Sequence, residues 1–267
     1  MLKRRVITAL WGVPLVIIAI WFDEPLPWFT ILAVIYGLLA VFEFYKITGV
    51  SRTIPLTVFG LIWTLLFIIA PHWNYDNSIP LLLASAVVIS LMLRVPVRKN
   101  KFSMTEWSWS MVGIVYVGLL LGLLVTLRIN GGREWMYLVV FCTFGSDTFA
   151  YFIGKAIGRH KLAPLISPGK TWEGAIGGLF GSVIVGLLFT LSTSVQLQIS
   201  YGEAVILGLL ISVSGQIGDL AESMLKRRKG VKESGTLMPG HGGLLDRMDS
   251  IVFAGLAVYL YYVLAVA

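Results

Sequence analysis

The chain has 267 residues, of which 57% are hydrophobic and only 13% are charged, and its mean hydropathy is +0.84. A soluble domain usually carries about twice that charged fraction, so the composition predicts a membrane protein with several spanning helices. The single cysteine, Cys142, excludes an intramolecular disulfide framework and a multi-cysteine zinc site. The net charge of +7 does not indicate nucleic-acid binding, because basic residues in a membrane chain are placed by topology.

Apolar stretches succeed one another along the whole chain. At about 20 residues per spanning helix they use most of its length, which leaves no room for a separate soluble domain. We therefore predict a single integral membrane domain over 1–267, all-α, with about nine transmembrane helices. The stretches are 6–22, 27–45, 54–70, 79–93, 107–127, 135–153, 173–192, 202–222 and 250–267.

The basic residues divide unevenly between the two sides of the membrane. With the N-terminus in the cytoplasm, 19 of the 21 lysines and arginines fall in inner segments, and only Arg128 and Arg133 fall outside. The positive-inside rule therefore predicts a multi-pass protein of the cytoplasmic (inner) membrane with its C-terminus outside. Both long connecting segments, about 154–172 and 223–249, then face the cytoplasm, which implies chemistry on a cytoplasmic substrate.

Four acidic residues lie in apolar stretches or at their ends, where a charge is costly and needs a partner: Glu43, Asp147, Asp219 and Glu222. Glu43 precedes Lys46 by three residues, so we expect a structural ion pair near a cytoplasmic helix end. The sequence does not specify a role for Glu222 or for Glu233.

One stripe of polar residues ends the eighth apolar stretch. Asp219, Glu222, Ser223 and Lys226 are spaced so that they share one helical face. Such a stripe is suited to a metal ion and the phosphates that it coordinates. The alternative is a helix end at which Lys226 extends to the interface and Asp219 pairs with a basic neighbour in the bundle.

The next segment, 232–249, favours the metal and phosphate interpretation. Its glycines let backbone amides approach an anion. Asp246 and Asp249 lie at the start of the last helix, from which they could reach Asp219. Three carboxylates beside several basic residues suit Mg²⁺ bound together with a polyphosphate. His241 has three alternatives that the sequence leaves open: a phosphate donor, a proton relay or a turn residue.

An upstream block has a similar character. Asp147, Tyr151 and Lys155 recur every four residues and so share a helical face that ends at a cytoplasmic loop. Ser167 and Thr171 precede the seventh stretch, where either is suited to cap the helix or to bind an anion beside its free amides. Lys170 is suited to a substrate phosphate or to a lipid headgroup.

These two blocks resemble the signature of the phosphatidate cytidylyltransferase (CDP-diacylglycerol synthase) family. The C-terminal block is Ser223-x-x-Lys226-Arg227, Lys232 and Pro239-x-His241-Gly242-Gly243-x-x-Asp246-Arg247-x-Asp249. The upstream block is Asp147-x-x-Ala150-Tyr151-x-x-Gly154-Lys155-x-x-Gly158, together with residues 167–174. The motifs occupy the C-terminal half, about 135–267. Glu233 stands where the family usually has Asp, and we leave it out of the metal ligands.

The resemblance implies transfer of the cytidylyl group of CTP to phosphatidate, which gives CDP-diacylglycerol and pyrophosphate at the lipid bilayer. It implies catalytic roles for Asp219, Asp246, Lys226, Asp249 and Asp147, with Asp219, Asp246 and Asp249 as ligands of one or two Mg²⁺ ions. A monovalent cation and a homodimer are compatible with it. The substrate-binding residues that it implies are Lys170, Ser167, Thr171, Ser223, Arg227, Lys232, His241, Gly242, Gly243 and Arg247.

Two other functions fit part of the pattern. A CTP-dependent polyprenol or phytol kinase uses the same nucleotide and related acidic and glycine-rich elements. An ion or solute transporter also needs acids inside a helical bundle. The transporter hypothesis predicts polar residues across the whole membrane depth. In this sequence the charged residues instead gather in the predicted cytoplasmic segments and the adjacent helix ends.

The predicted topology is testable with reporter fusions. Because of the distribution of basic residues, fusions near residues 100, 160 and 235 are expected to report a cytoplasmic location, and a C-terminal fusion an outer one. A 223–249 segment on the outer side would contradict a site that uses cytoplasmic CTP.

Overall fold

The structure is a computed structural model that describes residues 2–22, 24–73, 75, 77–93, 104–191, 197–235 and 242–266, with side chains from residue 11 onward. His241 lies outside the described residues, and so do Arg94, Arg98, Lys99 and Lys101, four of the 19 basic residues assigned to inner segments.

Within these ranges nine helical segments form, one for each predicted stretch. The fifth is continuous from α5 through a π-helical segment (Ile114–Leu119) into α6. The helices are α1 (Leu2–Trp21), α2 (Trp28–Thr48), α3 (Ile54–Ile69), α4 (Ser78–Met92), α5 (Met104–Gly113), α6 (Leu120–Asn130), α7 (Arg133–Ile157), α8 (Trp172–Leu191), α9 (Tyr201–Arg228) and α10 (Leu245–Ala265).

The all-α membrane class is therefore confirmed, whereas the number of spanning helices stays a prediction. Seven of the described helical segments are long and apolar enough to cross a membrane. The apolar part of α1 (Trp11–Trp21) and α4 are shorter. Several helices continue beyond their apolar stretch, because backbone hydrogen bonding does not stop where the side chains become polar; α9 ends at Arg228 rather than near 222.

The all-α prediction missed one small sheet. Strands β1 (Lys161–Ala163) and β2 (Ser167–Thr171) form an antiparallel hairpin between α7 and α8, with Lys161 opposite Thr171. The two strands are too short and too polar to show an alternating apolar pattern.

The described chain divides into two compact units, each built from separate parts of the sequence. The first contains 1–126 and 233–246, and the second contains 127–232 and 247–267. In the first unit, the buried Tyr45 of α2 donates its hydroxyl to the carbonyl oxygen of Ser110 at 3.0 Å. An apolar cluster that includes Phe59, Phe67 and Ile114 forms part of its core.

The second unit depends on close contact between α7, α8 and α9. A Cβ atom at Gly181 of α8 would lie 2.7 Å from the carbonyl oxygen of Gly145 and 2.6 Å from Phe149, so only glycine allows this approach of the backbones. The hydroxyls of Ser146 and Ser212 are 2.7 Å apart and link α7 to α9. Gln216 donates to the carbonyl oxygen of Ala175 at 3.1 Å and thereby links α9 to α8.

The role of Gly181 gives a stability prediction. Gly181→Ala is expected to lower the free energy of unfolding by about 1–3 kcal/mol, because overpacking outweighs the gain in helix propensity. The matched control is Gly202→Ala on α9, where a new Cβ meets nothing closer than 3.9 Å. Thermal unfolding of the protein in detergent measures both, and an unchanged midpoint for Gly181→Ala would contradict the close packing.

Candidate functional site

The centre of the candidate site is an ion pair between Asp219 of α9 and Lys170 of β2. The Nζ atom of Lys170 lies 2.7 Å from Oδ2 of Asp219. The other carboxylate oxygen, Oδ1, accepts a hydrogen bond from the Ser223 hydroxyl at 3.3 Å. The structure thus confirms that residues 219 and 223 share a face, and it provides the basic partner that one of our two interpretations expected for Asp219.

A second ion pair lies on the same helix. Lys226 is paired with the buried Glu222 one turn earlier, and its Nζ lies 2.5 Å from Oε2 of Glu222. Glu222, to which the sequence assigned no role, therefore holds the lysine that we predicted to be catalytic.

Two further carboxylates interact electrostatically with the residues of these ion pairs. Asp147 of α7 interacts electrostatically with Asp219, Lys170 and Arg247. Asp249 of α10 interacts with Asp219, Lys226 and Asp147. The Asp249 side chain is 7% exposed, and its Oδ1 accepts the backbone N–H of Ser250 at 2.8 Å. We name Asp147, Asp219 and Asp249 with Lys170, Lys226 and Arg247 the ionic cluster.

Close packing of α9 on α10 brings Asp249 to this cluster. A Cβ at Gly218 would meet the carbonyl oxygen of Asp249 and would lie 2.9 Å from the Phe253 ring. Asp219 and Asp249 therefore come together because their helices touch at a residue without a side chain.

The donor chemistry of the ionic cluster fits Mg²⁺. Carboxylate oxygens are the protein ligands that Mg²⁺ prefers, and the ion usually takes only one or two of them together with waters and substrate phosphates. Among the residues that the structure describes, no group of three or more His, Cys, Asp or Glu side chains comes together as a metal site. A site with fewer protein ligands that substrate phosphates complete is compatible with this finding.

The hairpin presents Lys170 and begins α8. The Thr171 hydroxyl accepts the backbone N–H of Gly174 at 3.1 Å, so the capping role that we left open for Thr171 is confirmed. Ser167 does not cap the helix, because it pairs with Ala163 in the sheet.

Sequence reasoning missed one contact at this hairpin. The Glu173 carboxylate lies 2.6 Å from Nδ1 of His160 and also accepts the backbone N–H of His160. The available signal was an acidic residue in the first turn of a helix, where it complements the helix dipole.

Two further predicted cations, Arg227 and Lys232, lie at the surface of the second unit, as does Arg247 of the ionic cluster. Arg227 is exposed and donates from Nε to the carbonyl oxygen of Ile166 at 3.2 Å, which ties the end of α9 to the hairpin. Lys232 and Arg247 are also exposed. On α7, Lys155 lies over the ring of Tyr151, as the predicted face requires, with 5.9 Å from Nζ to the ring centroid.

Asp246 and the glycine pair Gly242–Gly243 belong to the first unit. Oδ2 of Asp246 accepts the backbone N–H of Ser234 at 3.0 Å and of Gly243 at 2.8 Å. Gly242 has φ +80°, a left-handed conformation that favours glycine. Glu233 is exposed. The predicted role of Asp246 as a metal ligand beside Asp219 stays a prediction.

The expected ion pair of Glu43 with Lys46 is wrong. The ion pairs among the described residues do not include this one, and the Glu43 carboxylate instead accepts hydrogen bonds from the Ser234 hydroxyl and from the backbone N–H of Leu245, both at 3.1 Å. Lys46 lies over the ring of Phe42, 4.5 Å from its centroid. The spacing of three residues suggested a local partner, whereas the actual partners lie about 190–200 residues away in sequence.

Fold and site together define a multi-pass membrane protein with an ionic cluster among its C-terminal helices. The chain matches the model of the Cytidylyltransferase family over residues 3–265. Because the match covers almost the whole chain, the protein belongs to the cytidylyltransferase family and is a nucleotidyltransferase enzyme.

Relatives from several bacteria support this membership. A phosphatidate cytidylyltransferase of Bacillus subtilis is 32% identical over 269 residues, which cover 99% of this chain and 98% of the relative. One from Brucella abortus is 35% identical over 97% of this chain and 93% of its own. One from Staphylococcus saprophyticus is 37% identical over 79% and 77% of the two chains.

The cap at Thr171 is testable by its effect on stability. Thr171→Val keeps the shape of the side chain but removes the acceptor for the Gly174 N–H, so the free energy of unfolding is expected to fall by about 1 kcal/mol. Thr190→Val at the other end of α8 is the control, since the hydrogen bond described for that hydroxyl goes to the carbonyl oxygen of Leu187 and caps no helix start. Equal effects of the two substitutions in thermal unfolding would contradict the cap.

Proposed function

We propose that the protein transfers the cytidylyl group of CTP to phosphatidate, giving CDP-diacylglycerol and pyrophosphate for phospholipid synthesis. Family membership and the names of the relatives support the reaction. The observation that carries the proposal is the ionic cluster, which gathers three carboxylates and three cations in a unit made of apolar helices.

The charges of the cluster suit a triphosphate and a lipid phosphate. Lys170, Lys226 and Arg247 would neutralise phosphate oxygens, and Arg227 and Lys232 would extend this positive surface along the end of α9. Lys170 would exchange the Asp219 carboxylate for a phosphate oxygen when substrate binds. Charge stabilisation and positioning of this kind supply most of the catalysis in phosphoryl-type transfers.

The bond changes are those of an in-line displacement. A phosphate oxygen of phosphatidate forms a bond to the α-phosphorus of CTP, and the bond from that phosphorus to the bridging oxygen of the leaving group breaks, so pyrophosphate departs. A phosphate oxygen is already an anion near neutral pH, so no strong base is required. Asp147 would orient a cation of the cluster.

We propose Mg²⁺ as the cofactor, held by Asp219 and Asp249 together with Asp246. The ion would supply positive charge at the phosphates. Hydroxyl and backbone donors from Ser167, Thr171, Ser223, Gly242 and Gly243, with His241, would complete the substrate contacts.

The setting that we propose is the cytoplasmic membrane, with the ionic cluster facing the cytoplasm, where CTP is available. The distribution of basic residues supports this orientation. A homodimer is compatible with the proposal.

The acids of the site are testable one at a time. Asp219→Asn and Asp246→Asn are each expected to lower Mg²⁺-dependent turnover about a hundredfold or more, because charge stabilisation by a bound metal is worth several kcal/mol. Glu203→Gln is a matched control on α9, since Glu203 belongs to the capping box with Ser200 at the other end of that helix. Near-normal turnover of either aspartate variant would remove that residue from the metal site.

A labelling experiment separates the proposal from the kinase alternative. When purified protein turns over phosphatidate, label at the α-phosphorus of CTP is expected in the lipid together with cytidine, and label at the γ-phosphorus in pyrophosphate. A kinase attacks the terminal phosphorus, so γ-label in a lipid product with release of CDP would reject cytidylyl transfer.

A further inference from the structure

Two carboxylates join the two ends of the glycine-rich segment. Ser234 lies before residues 236–241, and Gly243 and Leu245 lie after them. Asp246 accepts the backbone N–H groups of Ser234 and Gly243 through one oxygen, Oδ2. Glu43 accepts the Ser234 hydroxyl and the Leu245 N–H through one oxygen, Oε2. Each carboxylate therefore bonds to both ends of the segment at once.

The backbone around Glu43 leaves no room for larger residues. A Cβ at Gly235 or at Gly243 would collide with the Glu43 carboxylate, and one at Gly243 would also collide with the Ser234 hydroxyl. The described residues on either side of 236–241 therefore meet at the Glu43 carboxylate, and the two glycines make this contact sterically possible.

Glu43 has no other evident task in the described part of the chain. It is 2% exposed and lies in the last two turns of the apolar helix α2, and none of the ion pairs among the described residues involves it. Its second oxygen, Oε1, is buried and has no hydrogen-bond partner among the residues that the structure describes. A buried carboxylate is costly to maintain, and both hydrogen bonds that the structure describes for Glu43 go to residues 234–235 and 242–246, which we name the stem of the glycine-rich segment.

The backbone N–H of Leu245 adds a second element to the contact. Leu245 is the first residue of α10, so its N–H has no partner within the helix and needs an acceptor from outside it. Glu43 supplies that acceptor from α2. The bond fixes the start of α10 one residue before Asp246, and so limits the directions in which Asp246 can point.

We propose that Glu43 is a positioning residue for cytidylyl transfer: it fixes Ser234 and the start of α10, so that Asp246 and the glycine pair are held in one arrangement. This inference rests on the proposed function of Asp246. In this role Glu43 acts through Asp246 and the glycine pair rather than by touching substrate. It acts from the N-terminal half of the chain on a motif of the C-terminal half.

The direct readout is hydrogen exchange of the backbone amides of the stem, residues 234–235 and 242–246. In Glu43→Ala the Leu245 amide and the Ser234 hydroxyl lose their acceptor, so exchange in this stem is expected to accelerate at least tenfold while exchange in α3 is unchanged. Glu43→Gln keeps one acceptor oxygen and is expected to restore most of the protection. Glu106→Gln is the matched control, since that acid bonds to the Thr53 hydroxyl in the same unit and not to the stem.

The kinetic readout is the split between kcat and KM. Glu43→Ala is expected to lower kcat at least tenfold while KM for CTP changes less than threefold, and Glu43→Gln is expected to recover most of kcat. Ser234→Ala removes only one of the bonds to Glu43, so it provides a milder variant if Glu43→Ala does not fold. It is expected to change exchange and kcat in the same direction by a smaller factor.

The outcomes separate this inference from the proposed reaction. Unchanged stem exchange in folded Glu43→Ala or Ser234→Ala would overturn the positioning role, and so would a loss of kcat without faster exchange. If the Glu43 variants show faster stem exchange but the wild-type protein makes no CDP-diacylglycerol, the proposed reaction is rejected. The role of Glu43 in that reaction is then rejected with it.

Discussion

The ion pair between Lys170 and Asp219 is the interaction on which the site depends. A lone carboxylate or ammonium group in an apolar helical bundle is costly, and such groups persist where they pair or face a polar interior. Here a strand residue and a helix residue meet at 2.7 Å, and Asp147, Asp249 and Arg247 share their field. Because the cluster holds both signs of charge, the polyphosphate that we propose as substrate would bind by exchanging partners rather than by entering an apolar space.

The helix packing of the second unit brings these charged side chains together. Gly181 allows α8 to approach α7, and Gly218 allows α9 to approach α10, so that acids from three helices share one region. The hairpin, closed by the Thr171 cap, carries Lys170 to Asp219. In the first unit, two carboxylates fix the glycine-rich stem by the same principle, with backbone amides in place of cations.

Features that arise from local periodicity and composition could be predicted from the sequence. Each apolar stretch became a helix, Asp219 and Ser223 share a face, and Thr171 caps α8. Features that depend on distant contacts could not. The partner of Glu43 was assigned by a spacing of three residues, whereas a glycine-rich stem 191 residues away supplies the Ser234 bond. The hairpin was missed because strands of three and five residues carry too few positions to show a pattern.

The most direct test of the central claim is the dissociation constant of CTP, measured for the purified protein by isothermal titration calorimetry with Mg²⁺ present. Lys170→Met is expected to weaken binding at least tenfold, about 1.4 kcal/mol, since a charge-assisted contact to a phosphate is lost. Arg133→Met is the control, because Arg133 pairs with Glu134 at the start of α7, and it is expected to change binding less than twofold. Equal dissociation constants for wild type and Lys170→Met would contradict the assignment of the triphosphate to the ionic cluster.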